Sequence, residues 1–256
     1  VNWSGEGQFD KVTSALDQLA GYPGFNVICT VTTANLRSLP KIVEYFHHQR
    51  MPVAMLNPVR CTLQGGRELK PDNRQLAWQF IKALDRSYEL WQETGRKLVI
   101  ANFANVLMGI VAPSARRLMC DISPCGGGRC FFAVSATGEV FPCSEFIGMD
   151  EFCGGNLFEK GLADILNTDQ FARVTGRVIE DIKPCAECAV RHFCGAPCPA
   201  EIHSCVGTLN APADYCEFYE EQARYAFRVI AEGRVDDYLW DGWKVGTRPS
   251  FQLNAP

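Results

Sequence analysis

The sequence predicts an α/β fold followed by a small cysteine-rich region, and three observations support this expectation. Residues 8–59 alternate helix-like and strand-like segments, which is typical of parallel strands joined by right-handed crossovers. After residue 118 the chain changes to short apolar runs interrupted by glycine, proline and cysteine. The 256 residues contain 13 cysteines, an odd number at close spacing, which favours metal ligands over disulfide bonds.

The first part of the chain alternates two kinds of apolar pattern. Helical segments repeat apolar residues every three or four positions, whereas the strand-like segments are β-branched and largely apolar, as in a buried strand. The predicted helices are 8–20, 37–50 and 72–94, the last ending at Gly95, and the predicted strands are 25–33 and 52–59. Two strands leave an unpaired edge, so we expect further strands before Val1, or pairing with a second copy near residues 25–33.

The second part is predicted to contain a hairpin and two helices. Residues 131–134 and 139–141 read as the strands of a hairpin around a turn at Thr137 and Gly138. Helical patterns cover residues 162–174 and 214–231. Residues 233–256, which include Trp240 and Trp243, are predicted to form an extended or loosely packed tail.

Charge is distributed unevenly along the chain. Residues 1–119 carry 14 Lys and Arg against 9 Asp and Glu, whereas residues 120–256 carry 11 against 20. The cysteine-rich part is acidic enough to repel a phosphate backbone, which argues against nucleic-acid binding. No apolar run is long enough to span a membrane and the first residues lack the features of a secretion signal, so we predict a soluble, cytoplasmic protein.

The densest cysteine segment is CAECAVRHFCGAPC, residues 185–198. Its cysteines are separated by two, five and three residues, and Cys216 follows after 17 more. A structural zinc site is complete with four ligands, so five close cysteines exceed one site. In two-cluster ferredoxins, a cysteine of one run binds the other cluster, and a similar arrangement would account for the surplus here.

The cysteine pattern resembles the SPASM domain at the C-terminus of many radical S-adenosylmethionine enzymes. That pattern is a cysteine, nine to fifteen residues, G-x4-C, then C-x2-C-x5-C-x3-C, then a final cysteine. The matching residues here are Cys125, Gly138, Cys143, Cys185, Cys188, Cys194, Cys198 and Cys216. The resemblance covers residues 120–230 strongly and extends weakly to residues 1–95, which look like the last part of a partial (β/α)6 radical SAM barrel.

The resemblance implies two auxiliary [4Fe-4S] clusters. Cys185, Cys188, Cys194 and Cys216 would bind the second cluster, and Cys125, Cys143 and Cys198 the first. The fourth ligand of the first cluster stays open between Cys120, Cys130 and a position left free for a substrate thiolate, with Cys120 preferred over Cys130. Of the cysteines outside the pattern, Cys29 and Cys61 are expected in the core. No ligand role is assigned to Cys153 or Cys205, although Cys205 is the better candidate for a shielding or redox role.

The resemblance also divides the chain and exposes a gap. We expect residues 1–100 to be barrel, 101–117 a bridging helix or linker, 118–232 the SPASM domain and 233–256 a tail. The radical-generating C-x3-C-x2-C loop of the family is missing from the sequence, which begins with Val1 rather than methionine. The expectation is therefore a fragment that is inactive alone and belongs to a radical SAM oxidoreductase.

The implied parent enzyme modifies a peptide or protein using S-adenosylmethionine. Leu56 and Asn57, near the end of the last predicted strand, are candidates to face the adenine, and the electron donor would be a flavodoxin or ferredoxin. In the sulfatase-maturing branch a basic aspartate follows the G-x4-C cysteine, but Ser144 stands there, with Glu145 next. Sulfatase maturation remains an alternative, as does a structural zinc or iron-sulfur module, and cluster sites of an isolated fragment are expected to be prone to zinc binding or loss of metal.

Overall fold

The mixed α/β architecture predicted from the sequence is confirmed by a computed structural model, which describes residues 5–22, 24–62, 65–116, 118–194 and 198–244. The helices are α1 Phe9–Leu19, α2 Leu39–His48, α3 Asn73–Thr94, α4 Ala101–Val111, α5 Leu162–Leu166, α6 Asp169–Thr175, α7 Pro199–Val206, α8 Cys216–Ala231 and α9 Val235–Tyr238. The strands are β1 Asn26–Val31, β2 Val53–Pro58, β3 Val99–Ile100, β4 Ala133–Val134, β5 Glu139–Phe141 and β6 Gly155–Asn156.

The first sheet is parallel and has the order β1–β2–β3. Asn26 aligns with Val53 and Val53 in turn aligns with Val99, so the three strands run in register from the same edge. The sequence did not predict β3, because two residues are too short for a periodic pattern. The α3 helix before it has clear boundaries: the Asp72 side chain accepts a hydrogen bond from Gln75 N, and Gly95 ends the helix with φ 68°.

A large apolar core covers one face of this sheet and joins it to the end of the chain. The rings of Phe80 in α3 and Phe218 in α8 meet edge to face at 5.1 Å, and both side chains are buried. The segment 233–244 also contributes to this core: Tyr238 and Leu239 are buried in it, and Val235, Trp240 and Trp243 pack against it. The expectation of a loosely packed tail is therefore wrong for residues 233–244, and residues 245–256 lie outside the described part.

At the β1 edge of the sheet, apolar side chains are exposed. Helix α1 forms as predicted, but of its apolar stripe only Leu16 is buried, whereas Phe9 is 75% exposed. On the neighbouring strand β1, Ile28 is 64% exposed. Among the described residues, β1 pairs with β2 alone, which leaves its outer edge open.

The cysteine-rich part has short elements and small cores. The predicted hairpin is present, with β4 and β5 antiparallel, and β6 adds a third strand. The single helix expected at 162–174 is two helices, α5 and α6, because the chain turns at Asn167 and Thr168. No helix of the described chain combines the length and hydrophobicity needed to cross a bilayer.

Candidate metal centres

Four of the predicted cluster ligands line one cavity. Cys185 and Cys188 are held on a tight turn in which Cys188 N donates to Cys185 O at 3.0 Å. Cys194 lies on the following loop, and Cys216 is the first residue of α8, so one short segment and the start of a helix supply the four cysteines. The cavity measures about 350 Å³, and its other lining residues are Pro184, Glu187, Val190, Arg191, Ala213, Tyr219 and Glu220.

The thiols of this cavity are close enough to disfavour one another's ionisation. Burial raises the pKa of Cys216, and the charges of Cys185 and Cys188 raise it further. Burial and the charge of Cys188 likewise raise the pKa of Cys185. Several thiolates so close together call for a cationic partner, which is the electrostatic character of a metal site. His192, on the same loop, faces away to Glu180, with 3.6 Å between Nε2 and Oε1.

Three further predicted ligands form a second, more deeply buried group. Cys125 and Cys143 are both buried and flank Gly127, where an added Cβ would lie 3.4 Å from Cys125 Sγ and 3.5 Å from Cys143 Cβ. Burial raises the pKa of Cys143 to about 12, and the charges of Cys198 and Cys125 contribute. The structure therefore brings Cys125, Cys143 and Cys198 together, as the family pattern implies.

Hydrogen bonds already point at the sulfurs of this second group. Gly127 N donates to Cys125 Sγ at 3.2 Å, and Arg60 Nη1 donates to Cys198 Sγ at 3.0 Å. Such donors stabilise a thiolate or a cluster sulfur. Sequence reasoning missed Arg60, because it lies in the loop after β2 and 138 positions separate it from Cys198.

Gly138 shows why this pattern contains a glycine. It has φ +89°, and a Cβ there would lie 2.6 Å from Phe158 Cε2 and 2.8 Å from Asn156 Oδ1. Only glycine tolerates both the left-handed backbone and the close approach. The tight hairpin that it allows leads directly into Cys143.

Cys120 and Cys130 are both exposed. Cys120 lines a different cavity of about 210 Å³ between the first sheet and α8, which it shares with Cys194 and Asn57. Of the described residues that line this cavity, none is Cys125, Cys143 or Cys198. The structure thus places Cys120 beside the second predicted cluster and the end of β2.

The two residues predicted to face the adenine, Leu56 and Asn57, point in different directions. Asn57 lines the 210 Å³ cavity, but the Leu56 side chain is fully buried in the apolar core, because successive strand residues point to opposite faces. The Leu56 backbone is held by Asn102, whose Nδ2 donates to Leu56 O at 2.9 Å. Leu56 can thus contribute to that cavity only through its backbone, and Asn102, which also lines it, was not predicted.

Ser144 and Glu145 line a third cavity, of about 520 Å³, near the carboxyl ends of β1 and β2. The Glu145 carboxylate accepts a hydrogen bond from Thr62 Oγ1 at 3.1 Å and lies 3.8 Å from Arg60 Nη1. Arg60 therefore connects this cavity to Cys198 and the buried cysteine group.

Comparison with known families identifies this part of the chain. The SPASM family, an iron-sulfur cluster-binding domain, matches residues 125–189. The chain carries a SPASM domain. The match ends before Cys194, Cys198 and Cys216, whose positions in the two cysteine groups are seen in the structure.

Relatives extend the similarity over most of the chain. An uncharacterized protein of Archaeoglobus fulgidus is 47% identical over 236 residues, which are 92% of this chain and 56% of the relative. A cysteine-type anaerobic sulfatase-maturating enzyme of Clostridium perfringens is 27% identical over 227 residues, covering 86% of this chain and 59% of the enzyme. The chain thus spans somewhat more than half the length of these relatives, and it is related to radical SAM enzymes that carry a SPASM domain.

Solved structures show the same fold. A structure of polyhistidine-tagged anSMEcpe with bound AdoMet superposes with a TM-score of 0.74 at 21% identity, covering 95% of this chain and 63% of that one. Native anSMEcpe with bound AdoMet and Cp18Cys peptide gives a TM-score of 0.74 at 22% identity, covering 91% and 64%. The three-stranded parallel sheet is therefore consistent with part of a radical SAM fold, followed by the SPASM region.

Proposed function

We propose that this chain is the auxiliary-cluster portion of a radical SAM enzyme that modifies a peptide or protein. Cys185, Cys188, Cys194 and Cys216 would bind one [4Fe-4S] cluster, and Cys125, Cys143 and Cys198 the other. The fourth ligand of the latter stays open between Cys120, Cys130 and a substrate thiolate, and of these Cys120 lines a cavity with Cys194 of the other group. The observation that carries the proposal is the cavity of about 350 Å³ that the loop cysteines Cys185, Cys188 and Cys194 line together with Cys216 of α8.

The spacing of these cysteines supports a cluster over a single zinc ion. Zinc–sulfur bonds of about 2.3 Å in a tetrahedron place the sulfurs about 3.8 Å apart. Within the described residues, no three of the predicted cluster cysteines have their sulfurs all within 4.8 Å of one another. A cube of iron and sulfide needs its ligands farther apart, so this spacing disfavours the zinc-module alternative.

The cluster would supply one-electron redox chemistry, while this chain's own residues set its environment. Gly127 N and Arg60 Nη1 donate to the sulfurs of Cys125 and Cys198, and hydrogen bonds to sulfur raise a cluster's reduction potential. Arg60 also faces Glu145 in the 520 Å³ cavity, so the same guanidinium borders a space where a peptide side chain fits.

The whole enzyme would bind S-adenosylmethionine near Asn57 and the Leu56 backbone, and would receive electrons from a flavodoxin or ferredoxin. Support for a peptide substrate comes from the relative with a bound Cp18Cys peptide. The cytoplasmic location predicted from the sequence is kept as part of this proposal.

A second candidate function is sulfatase maturation, favoured by the named activity of the Clostridium perfringens relative. Against it, position 144 carries a serine, which is a weak base at neutral pH. Glu145 faces the same cavity, but its carboxylate accepts a hydrogen bond from Thr62 and lies 3.8 Å from Arg60 Nη1, so it is already engaged by other groups. We therefore favour modification of another peptide class.

Anaerobic reconstitution with iron and sulfide tests the proposal. We expect about eight irons per chain, falling to about four in Cys216→Ala, with an EPR signal from the reduced protein in both. Cys153→Ala is the matched control, because Cys153 is half-buried and outside both groups. An iron content that stays near zero in the wild type, or that Cys216→Ala leaves unchanged, would contradict the assignment.

A further inference from the structure

Three metal-binding side chains converge at a point that neither cysteine group includes. Cys61, Cys205 and Asp214 each offer one ligand atom, and the three atoms lie within 4.8 Å of one another. Cys61 is buried and the other two are half-buried. Within the described chain, this is the one group of three or more such side chains at that spacing. The sequence predicts Cys61 in the core, and Cys61 is indeed buried. It assigns no ligand role to Cys205.

The three residues come from separate segments. Cys61 follows β2, Cys205 is in the last turn of α7, and Asp214 precedes α8. The site would therefore join the loop after the parallel sheet to two segments of the cysteine-rich part. Cys205 and Asp214 lie in sequence between Cys198 of one predicted cluster group and Cys216 of the other, whereas Cys61 comes from the sheet part.

Neighbouring side chains hold this arrangement in place. Arg67 Nη2 donates to Cys205 O at 2.8 Å, and Asn73 Nδ2 donates to Asp214 O at 2.9 Å. Cys61 N donates to the buried Glu201 carboxylate at 3.3 Å. These contacts position the backbone of each ligand. Asp214 Oδ2 itself lies 2.6 Å from Lys70 Nζ and accepts from Cys61 Sγ at 3.7 Å, so a bound ion would take the place of the thiol proton between Cys61 and Asp214.

Charge balance points to a divalent cation. With both thiols ionised, the two sulfurs and the Asp214 carboxylate carry three negative charges in a partly buried space. Lys70 Nζ, 2.6 Å from Asp214 Oδ2, offsets one of them. A divalent cation would neutralise the remaining two ligand charges, and the buried Glu201 carboxylate beside Cys61 N makes a cation here still more favourable.

We propose that Cys61, Cys205 and Asp214 bind a single divalent ion of the zinc class, separate from the iron-sulfur clusters. Two sulfurs and a carboxylate oxygen suit a borderline-soft ion, and bond lengths of about 2.0–2.3 Å require only small shifts from the present spacing. Three protein ligands leave one tetrahedral position for water. The ion would fix the loop after β2, and with it Arg60, against the cysteine-rich part.

The test uses the full chain after anaerobic iron-sulfur reconstitution under reducing conditions, so that the cluster cysteines are occupied before zinc is added. One equivalent of Zn²⁺ is then added and loosely bound metal removed. Iron and zinc are counted, and X-ray absorption at the zinc edge reports the ligand atoms. We expect about one zinc per chain with two sulfur and two oxygen neighbours at about 2.3 Å and 2.0–2.2 Å.

Two variants and a control identify the ligands. We expect Cys205→Ser and the near-isosteric Asp214→Asn to weaken zinc binding at least about tenfold while iron content is unchanged, which also shows that these variants fold. Cys153→Ser should retain zinc, because Cys153 is a half-buried thiol outside the site. Zinc with four sulfur neighbours that survives in Cys205→Ser would place the ion at the cluster cysteines and overturn the proposal. Failure of the reduced wild-type chain to retain zinc would also overturn it. Iron content and the zinc neighbours are separate readouts: missing iron in the wild type would contradict the cluster assignment, whereas full iron content without zinc on two sulfurs and two oxygens would contradict this proposal.

Discussion

The parallel-sheet part and the cysteine-rich part of this chain are stabilised in different ways. The sheet part and α8 share one continuous apolar core, in which long helices pack against each other through rings such as Phe80 and Phe218. The cysteine-rich part has helices of five to eight residues and two small cores around Phe146 and Phe171. Short elements with little apolar burial need another source of stability, and metal ligation supplies it in many small domains.

The largest expected difference between the two parts is the loss of amide protection when metal is removed. We expect a chelated, reduced chain to lose amide protection across residues 119–206, because the metal bonds that would join its short segments are gone, while β1 and β2 stay protected. Hydrogen exchange followed by mass spectrometry measures this for the metal-loaded and metal-free chain. Equal protection in both forms would mean that apolar packing alone stabilises the cysteine-rich part.

The next largest effect concerns the contact between α3 and α8. We expect Phe218→Ala to lower the free energy of unfolding of the sheet part by about 3–5 kcal/mol, because it leaves a cavity beside Phe80. Phe158→Ala is the control, since that ring is 87% exposed and its loss should cost much less. Denaturant unfolding followed by far-UV circular dichroism gives both values. Similar costs for the two variants would show that α8 is not part of the main core.

A pair of glycines separates backbone strain from crowding in the cysteine-rich part. Gly138 and Gly148 have nearly equal φ values, +89° and +88°, but only Gly138 has heavy atoms within 4 Å of an added Cβ. We expect Gly148→Ala to cost about 1–2 kcal/mol from the left-handed backbone alone, and Gly138→Ala to cost more because Phe158 must move. Iron content after reconstitution should fall only in Gly138→Ala. Equal effects would exclude crowding as the reason for this glycine.

The smallest effect is a pH dependence in the sheet part. Burial lowers the pKa of His47, and the positive charge of Arg96 lowers it further. Since the unfolded chain then binds a proton more readily than the folded one, stability should be complete above about pH 6.5 and decline as pH falls below it. Arg96 Nη2 donates to His47 Nδ1 at 3.2 Å while Nε2 lies 3.2 Å from Arg96 O, and a ring nitrogen that accepts a hydrogen bond belongs to a neutral imidazole. Comparing unfolding midpoints of wild type and His47→Gln between pH 5 and 8 checks this, and a parallel decline in both would assign the effect elsewhere.

Local patterns accounted for much of the fold and of the candidate sites. Helical periodicity located α1, α2, α3 and α8, because an apolar stripe every three or four residues is a property of a few turns of chain. The turn at Gly138 followed in the same way from glycine chemistry. Periodicity missed the two-residue strand β3 and did not detect the break between α5 and α6, since such short elements carry no repeat.

By itself, the sequence determined the cysteine spacing, the parallel rhythm and the two sets of cluster ligands that the SPASM resemblance implies. Tertiary structure alone decided that Arg60 reaches Cys198, that Leu56 faces the core while Asn57 faces a cavity, and that Cys61, Cys205 and Asp214 converge. The physical reason is distance along the chain. Spacing within a turn is set by backbone geometry, whereas residues more than a hundred positions apart meet only because burial of the shared apolar core brings their segments together.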